Sequence, residues 1–226
     1  MFSRRLTRTI AVGGAVVAVG GGAYGIVSAT ASSGSAAAST ANPPKLGSNA
    51  RSGPAAGGTV GTVGSVSKST FTVSTSAGQK VTVNKASSTR YRRGTNSISA
   101  SAIRKGQSVV VLGTTSGTTI TATQVIVQPS GSASATSSAV VPFQRGGPTT
   151  SKQVGQIPAN YTQGSGTIVS GTTANKATEA ALAAYPVGIV DRVVKLSNGM
   201  YEVHNIGVNW PHHIFVNKNF KVVGAD

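Results

Sequence analysis

Residues 70–83 read Thr70-Phe71-Thr72-Val73-Ser74-Thr75-Ser76-Ala77-Gly78-Gln79-Lys80-Val81-Thr82-Val83. Phe71, Val73, Val81 and Val83 alternate with polar neighbours on either side of the turn-forming Ser76-Ala77-Gly78-Gln79. A period of two puts the apolar side chains on one face of a strand, so this stretch predicts two half-buried strands joined by a short turn. The signature recurs outward from it. Val60, Val63 and Val66 lead into Ser67-Lys68-Ser69. Arg104-Lys105-Gly106-Gln107 turns the chain before Val109-Val110-Val111-Leu112, and Gly117 precedes Ile120-Thr121-Ala122, Val125 and Val127. Five or six short strands within residues 57–128, with no helical period, predict a mainly β unit that closes into a small barrel or sandwich. So short a segment has a modest core, and marginal stability is expected.

Residues 174–226 carry another pattern. Ala177, Ala181, Ala184 and Tyr185 recur at helical spacing, with Ala180 and Leu182 alongside. Thr173 or Asn175 is available as a cap, Glu179 is expected in the first turn, and Pro186 stops the helix. Residues 189–196 and 201–206 then flank Ser197-Asn198-Gly199-Met200, a hairpin signal with Asn-Gly at its centre. That register sets Leu196 against Tyr201, Lys195 against Glu202 and Val194 against Val203, with opposite charges on one face and apolar pairs on the other. Strands over 214–216 and 220–223 complete a small α+β module.

Asp and Glu are absent from residues 1–178; the four acids are Glu179, Asp191, Glu202 and Asp226. Arg192, Lys195, Lys218 and Lys221 balance them, so the net charge of +16 belongs to the larger, N-terminal part. Without a carboxylate that part has no acid–base pair, no cage for a hard cation and no third member for a Ser–His arrangement. Gly-x-Ser-x-Gly, a Walker loop and His-Glu-x-x-His are missing. Ser65-Val66-Ser67-Lys68 has the letters of Ser-x-x-Lys but runs off a predicted strand rather than around a helical turn. The chain has no cysteine, which excludes disulfides, thiol nucleophiles and Cys-ligated zinc. A non-enzymatic protein without a cofactor is expected.

Arg4, Arg5 and Arg8 precede an uncharged run over 10–27, and Ala29-Thr30-Ala31 and Ala36-Ala37-Ala38 follow as small-residue cleavage candidates. This is the layout of an export signal, or of an anchor left uncleaved. Ser3-Arg4-Arg5 resembles the opening of a twin-arginine signal. Residues 1–31 are thus expected as signal peptide or anchor, and 32–56 and 129–173, rich in Gly, Ser, Ala, Thr and Pro, as disordered linkers. Between and after them come two modules, 57–128 and 174–226. The expected location is extracytoplasmic, secreted or held in the plasma membrane.

Gly61-Thr62-Val63-Gly64-Ser65-Val66, Phe71-Thr72-Val73, Val81-Thr82-Val83, the run over 103–113 and Ile120-Thr121-Ala122-Thr123-Gln124-Val125 resemble, in this order, the bacterial domain-of-unknown-function family 5666. The resemblance implies an OB-like barrel and no reaction. Ala180-Ala181-Leu182-Ala183-Ala184-Tyr185-Pro186, Val190-Asp191-Arg192-Val193, Tyr201-Glu202-Val203-His204 and Phe220-Lys221-Val222-Val223 resemble the PepSY domain of actinobacterial envelope proteins. That second resemblance implies a cell-envelope protein that inhibits or regulates a peptidase near the cell surface. Asn209-Trp210-Pro211-His212-His213 departs from the Asp-Gly turn usual there.

Three candidate sites follow. Arg90, Tyr91, Arg92 and Arg93, with Arg104 and Lys105, form the densest basic cluster. Arginines interleaved with an aromatic on an OB-like barrel suit a polyanion: anionic lipid, phosphate-rich wall polymer or single-stranded nucleic acid. Export argues against nucleic acid. Trp210, the one tryptophan, falls at a predicted hairpin tip and is a candidate anchor for a protein partner such as an envelope peptidase, with His204 and His213 beside it. A turn centred between Val208 and Asn209 makes His204 and His213 cross-strand neighbours, able to bind a transition metal weakly or to titrate near neutral pH. His212 is expected on the opposite face, which leaves no third ligand and no metal site.

Overall fold

The computed structural model describes residues 53–129, 152–208 and 210–226. The expected export segment, most of the first linker, residues 130–151 of the second and Asn209 lie outside the described residues. Among the described residues no helix is long and apolar enough to cross a membrane.

The chain is mainly β. Ala55–Val66 (β1), Thr70–Ser74 (β2), Lys80–Arg93 (β3), Ser108–Ser116 (β5) and Thr119–Val127 (β6) close into a five-stranded barrel in the order β1-β2-β3-β6-β5-β1. Asn96–Ser97 (β4) only extends the end of β3. Neighbours are antiparallel except β3 and β6, which run parallel. This architecture is consistent with the expected OB-like barrel. Gly78, at φ 81°, makes the left-handed turn that the opening stretch calls for between β2 and β3. The apolar set of that stretch fills the barrel: Phe71, Val73, Val81 and Val83 are buried with Val63, Val109, Val111, Ile120 and Val125.

The second linker and the separateness of the two predicted modules differ from expectation. Val154–Gly155 (β7) pairs with the last strand, Val222–Ala225 (β12), and Thr167–Ile168 (β8) pairs with Ile189–Lys195 (β9). Residues 152–168 therefore strap across the C-terminal sheet instead of hanging loose. That sheet, β9, Tyr201–Ile206 (β10), His213–Val216 (β11) and β12 in order, is not a separate body either, because β9 pairs with β1 at Gly58 and Thr59. A Cβ at Gly57 would overlap the Val190 carbonyl oxygen, so the seam needs glycine there. Helix α1, Gly171–Ala184, lies over the seam. Its buried Ala174, Ala177, Thr178, Ala181 and Leu182 follow i, i+3, i+4, i+7, i+8, the stripe of a helix with one covered side.

The physical reason for a single unit is in β5. Val109 and Val111 point into the barrel, while Val110 and Leu112 join Val60 and Ile126 beneath α1 and the C-terminal sheet. Val109-Val110-Val111-Leu112 is apolar on both faces, and an outer face like this has to be covered.

Two details of the C-terminal part correct the expected geometry. Helix α1 starts at Gly171 with Ser170 as N-cap, so Glu179 lies in mid-helix rather than in the first turn. The hairpin pairs Tyr201 with Lys195, Glu202 with Val194 and Val203 with Val193, one residue away from the predicted register. Leu196 N–H donates to the Met200 carbonyl at 2.8 Å and closes the longer loop. A slip of one residue moves every side chain to the other face. Glu202 consequently leaves the predicted exposed pair with Lys195 and enters the interior, where it is 0% exposed.

Candidate functional site

The basic cluster separates into different roles. Arg90, Arg93 and Lys105 are exposed. Tyr91 is 9% exposed and belongs to the barrel core, so its ring offers no stacking platform. Arg92 Nη2 donates to Glu179 Oε1 of α1 at 2.7 Å, tying barrel to helix. The Arg104 guanidinium turns back to donate to the Ser101 carbonyl and steadies its own loop. What remains free is a groove of about 640 Å³ between β3, β6 and α1, lined by Arg90, Arg92, Lys176, Gln124 and Asn175 among others.

Trp210 is likewise not an exposed anchor. It is 5% exposed and packs edge-on against Tyr185 at 5.3 Å, its Nε1–H donates to the Lys152 carbonyl at 2.6 Å, and the Lys152 ammonium sits 4.2 Å over the ring.

The histidines lie on the opposite face of the C-terminal sheet. His204 and His213 are a cross-strand pair, as the turn between Val208 and Asn209 predicts. His212 joins them, against expectation. The amides of His212 and His213 both donate to the Asp226 carbonyl, at 2.7 and 3.1 Å, so two residues of one strand oppose one of its neighbour. That bulge breaks the alternation of faces and brings the His212 ring to the same side as His204. A second irregularity acts on β9, where His204 pairs with Arg192 and Asn205 with Val190, leaving Asp191 unpaired between them. The Asp191 carboxylate then reaches His204.

The resulting contacts are short. His204 Nδ1 lies 2.5 Å from Asp191 Oδ1, and its Nε2 lies 3.0 Å from His212 Nε2. His213 Nδ1 meets Asp226 Oδ1 at 2.9 Å, and its Nε2 is 3.5 Å from Glu202 Oε1. Arg192 Nη1 contacts Asp191 Oδ2 at 3.3 Å. Tyr161, from the strap, covers the group, edge-on to His213 at 5.6 Å and to Phe215 at 4.8 Å. Burial pushes the Glu202 carboxyl up from its ordinary value, and the nearby His213 charge only partly offsets this. Burial, then the charges of His204 and His213, hold His212 down at about 4, so it is neutral at pH 7. Tyr161 is raised, first by burial and then by Glu202. One nitrogen from each of the three imidazoles lies within 4.8 Å of the others, a spacing that can hold a metal ion.

The sequence reading missed His212, Glu202, Asp191, Asp226 and Tyr161 as members of this group. One signal did point to it: three of the four acids in the chain lie in the same 190–226 stretch as all three histidines. Compared with known proteins, the chain matches no protein-family model, no curated protein and no solved structure. The resemblances to family 5666 and to PepSY domains rest on the residues quoted for them.

Proposed function

We propose that the protein works outside the cytoplasm as a non-enzymatic binding protein whose barrel docks onto an anionic polymer or lipid surface of the cell envelope. The supporting observation is the groove beside α1, where Arg90 and Lys176 stand exposed and Glu179 is the one carboxylate among the lining residues. Residues 57–128, Arg90 included, carry eight Lys and Arg and no acid. Tyr91 lines the groove but is 9% exposed, so it offers bases little ring face and the barrel holds phosphates by charge, which favours wall polymer or lipid headgroups over single-stranded nucleic acid. Each basic side chain near an anionic surface contributes roughly 1 kcal/mol.

Binding of long-chain polyphosphate, and of vesicles with and without phosphatidylglycerol, measured across a salt series, tests this reading. Affinity should fall steeply with salt. The double variant Arg90→Ala/Lys176→Ala, which removes both exposed cations of the groove, should lose about 2 kcal/mol, roughly 30-fold. Salt-independent binding, or none to either probe, would refute it. The peptidase-regulating alternative draws on the PepSY-like residues 180–186 and 201–204. Wall-peptidase activity that stays unchanged at saturating protein would remove it.

A further inference from the structure

We propose that His204, His212, His213 and Glu202 form a four-donor site for a divalent transition metal of the zinc type, independent of the basic groove. The donors come in two pairs. Two ligands of one tetrahedral zinc, each about 2.0–2.1 Å from the ion, stand about 3.4 Å apart. His204 Nε2 and His212 Nε2 are 3.0 Å apart, and His213 Nε2 and Glu202 Oε1 are 3.5 Å apart. The three imidazoles offer nitrogens within 4.8 Å of one another, and Glu202 joins them through its 3.5 Å approach to His213.

The outer contacts select the nitrogens. A neutral imidazole carries one proton, and a carboxylate against Nδ1 keeps it there, leaving Nε2 with a bare lone pair. Asp191 does this for His204 and Asp226 for His213. Carboxylate, imidazole and metal in line is the usual support of a ligating histidine, and it makes Asp191 and Asp226 positioning residues.

A second observation is independent of the spacing. Neither oxygen of Glu202 has a hydrogen-bond partner, nor has His213 Nε2, although Glu202 is 0% exposed and His213 is buried. The one hydroxyl facing the carboxylate is that of Tyr161, close enough to lower the acid and raise the phenol but without the geometry of a regular hydrogen bond. With the His213 ring neutral, a buried carboxylate facing its Nε2 lone pair at 3.5 Å is costly unless something positive lies between them; with the ring protonated the two form an ion pair that lacks hydrogen-bond geometry. A divalent cation between them satisfies both groups at once; among the described residues the basic side chains acting on the carboxylate are His213 itself, 3.5 Å away without hydrogen-bond geometry, and Arg192 and His204. Three imidazoles and one carboxylate, with no thiolate in the chain, suit Zn(II) and Co(II) and do not suit the all-oxygen preference of calcium or magnesium. His212 is only partly buried, which leaves a way in for the ion.

The test is titration of the full chain, stripped with chelator, by Zn(II) in a calorimeter and by Co(II) in a visible spectrometer. One equivalent of Co(II) should give the intense visible bands of a four-coordinate ion, and Zn(II) should abolish them. His212→Ala removes the least packed ligand and should weaken Zn(II) binding at least about 100-fold, and Asp191→Asn about 10- to 100-fold with shifted Co(II) bands. Glu202→Gln should weaken binding and displace the same bands. Melting of each variant in chelator shows whether it is folded, and His212→Ala should melt close to the parent. Faint six-coordinate Co(II) bands, or Zn(II) binding unchanged by His212→Ala or by Glu202→Gln, would overturn the four-donor site.

Discussion

Arg90 and Arg93 stand in solvent on the barrel without a carboxylate partner, whereas His204 and His213 are buried side by side in the C-terminal sheet with Glu202 buried 3.5 Å from His213. The difference lies in what each arrangement costs. An exposed guanidinium keeps its hydration, so the fold is indifferent to it and it remains free for a partner. A buried carboxylate or imidazole has given up water and depends on the groups facing it. The barrel can therefore lose its surface arginines and remain a barrel, while the histidine group is part of the packing of the sheet that carries it.

The largest effect expected from breaking this contrast comes from Trp210→Ala. The ring lies in the cluster shared by α1, the outer barrel face and the C-terminal sheet. Removing a buried Trp costs about 3–5 kcal/mol. Because β1 belongs to both barrel and sheet, the loss should lower protection of barrel amides such as Val111 as well as sheet amides such as Ile214, read by hydrogen exchange. Barrel amides that keep their protection would mean two independently folding halves. Gly57→Val attacks the same seam from the β1 side, where the new side chain meets the Val190 carbonyl. We expect about 2–3 kcal/mol lost in denaturant melting, with Thr59 and Val190 exchanging fastest.

Next in size is Glu202→Gln. In chelator the variant should be more stable than the parent by about 1–2 kcal/mol at neutral pH, since an amide replaces a buried charge with no hydrogen-bonded partner. With zinc added the order should reverse, because binding to the folded state stabilises only the protein that holds the ion well. Melting temperatures with and without zinc decide it, and a variant less stable than the parent in chelator would show that the carboxylate is already satisfied.

How much of this was legible follows from periodicity. The barrel strands obey a period of two, so Phe71, Val73, Val81 and Val83 announce their own faces, and Gly78 announces the turn. The union of the two segments was also written in the sequence, in Val109-Val110-Val111-Leu112, whose two apolar faces require a cover on each side. Asp191 and His212 could not be placed in this way. Each sits where the ladder skips a residue, and a bulge inverts the faces beyond it without leaving a mark in composition. Glu202 was misplaced for a related reason. The loop from Leu196 to Met200 closes one residue earlier on the β9 side than the Asn-Gly signal implies, and that single step carries the carboxylate from surface to core.

The smallest effect joins the two regions. The Arg92–Glu179 pair spans barrel and helix at 2.7 Å with side chains 33% and 42% exposed. A pair so wetted couples by no more than about 0.5–1 kcal/mol in a double-mutant cycle. Its influence on binding should have the opposite sign to its influence on stability. Glu179 is the one carboxylate lining the basic groove, so Glu179→Ala leaves the Arg92 charge without a counter-ion and removes a charge that repels phosphate. Polyphosphate affinity should rise by up to about 1 kcal/mol, roughly fivefold, at low salt. Arg92→Ala should lower it. Stability and affinity moving together in Glu179→Ala would place the polyanion elsewhere on the barrel, since only a ligand in this groove gains from the loss of its carboxylate.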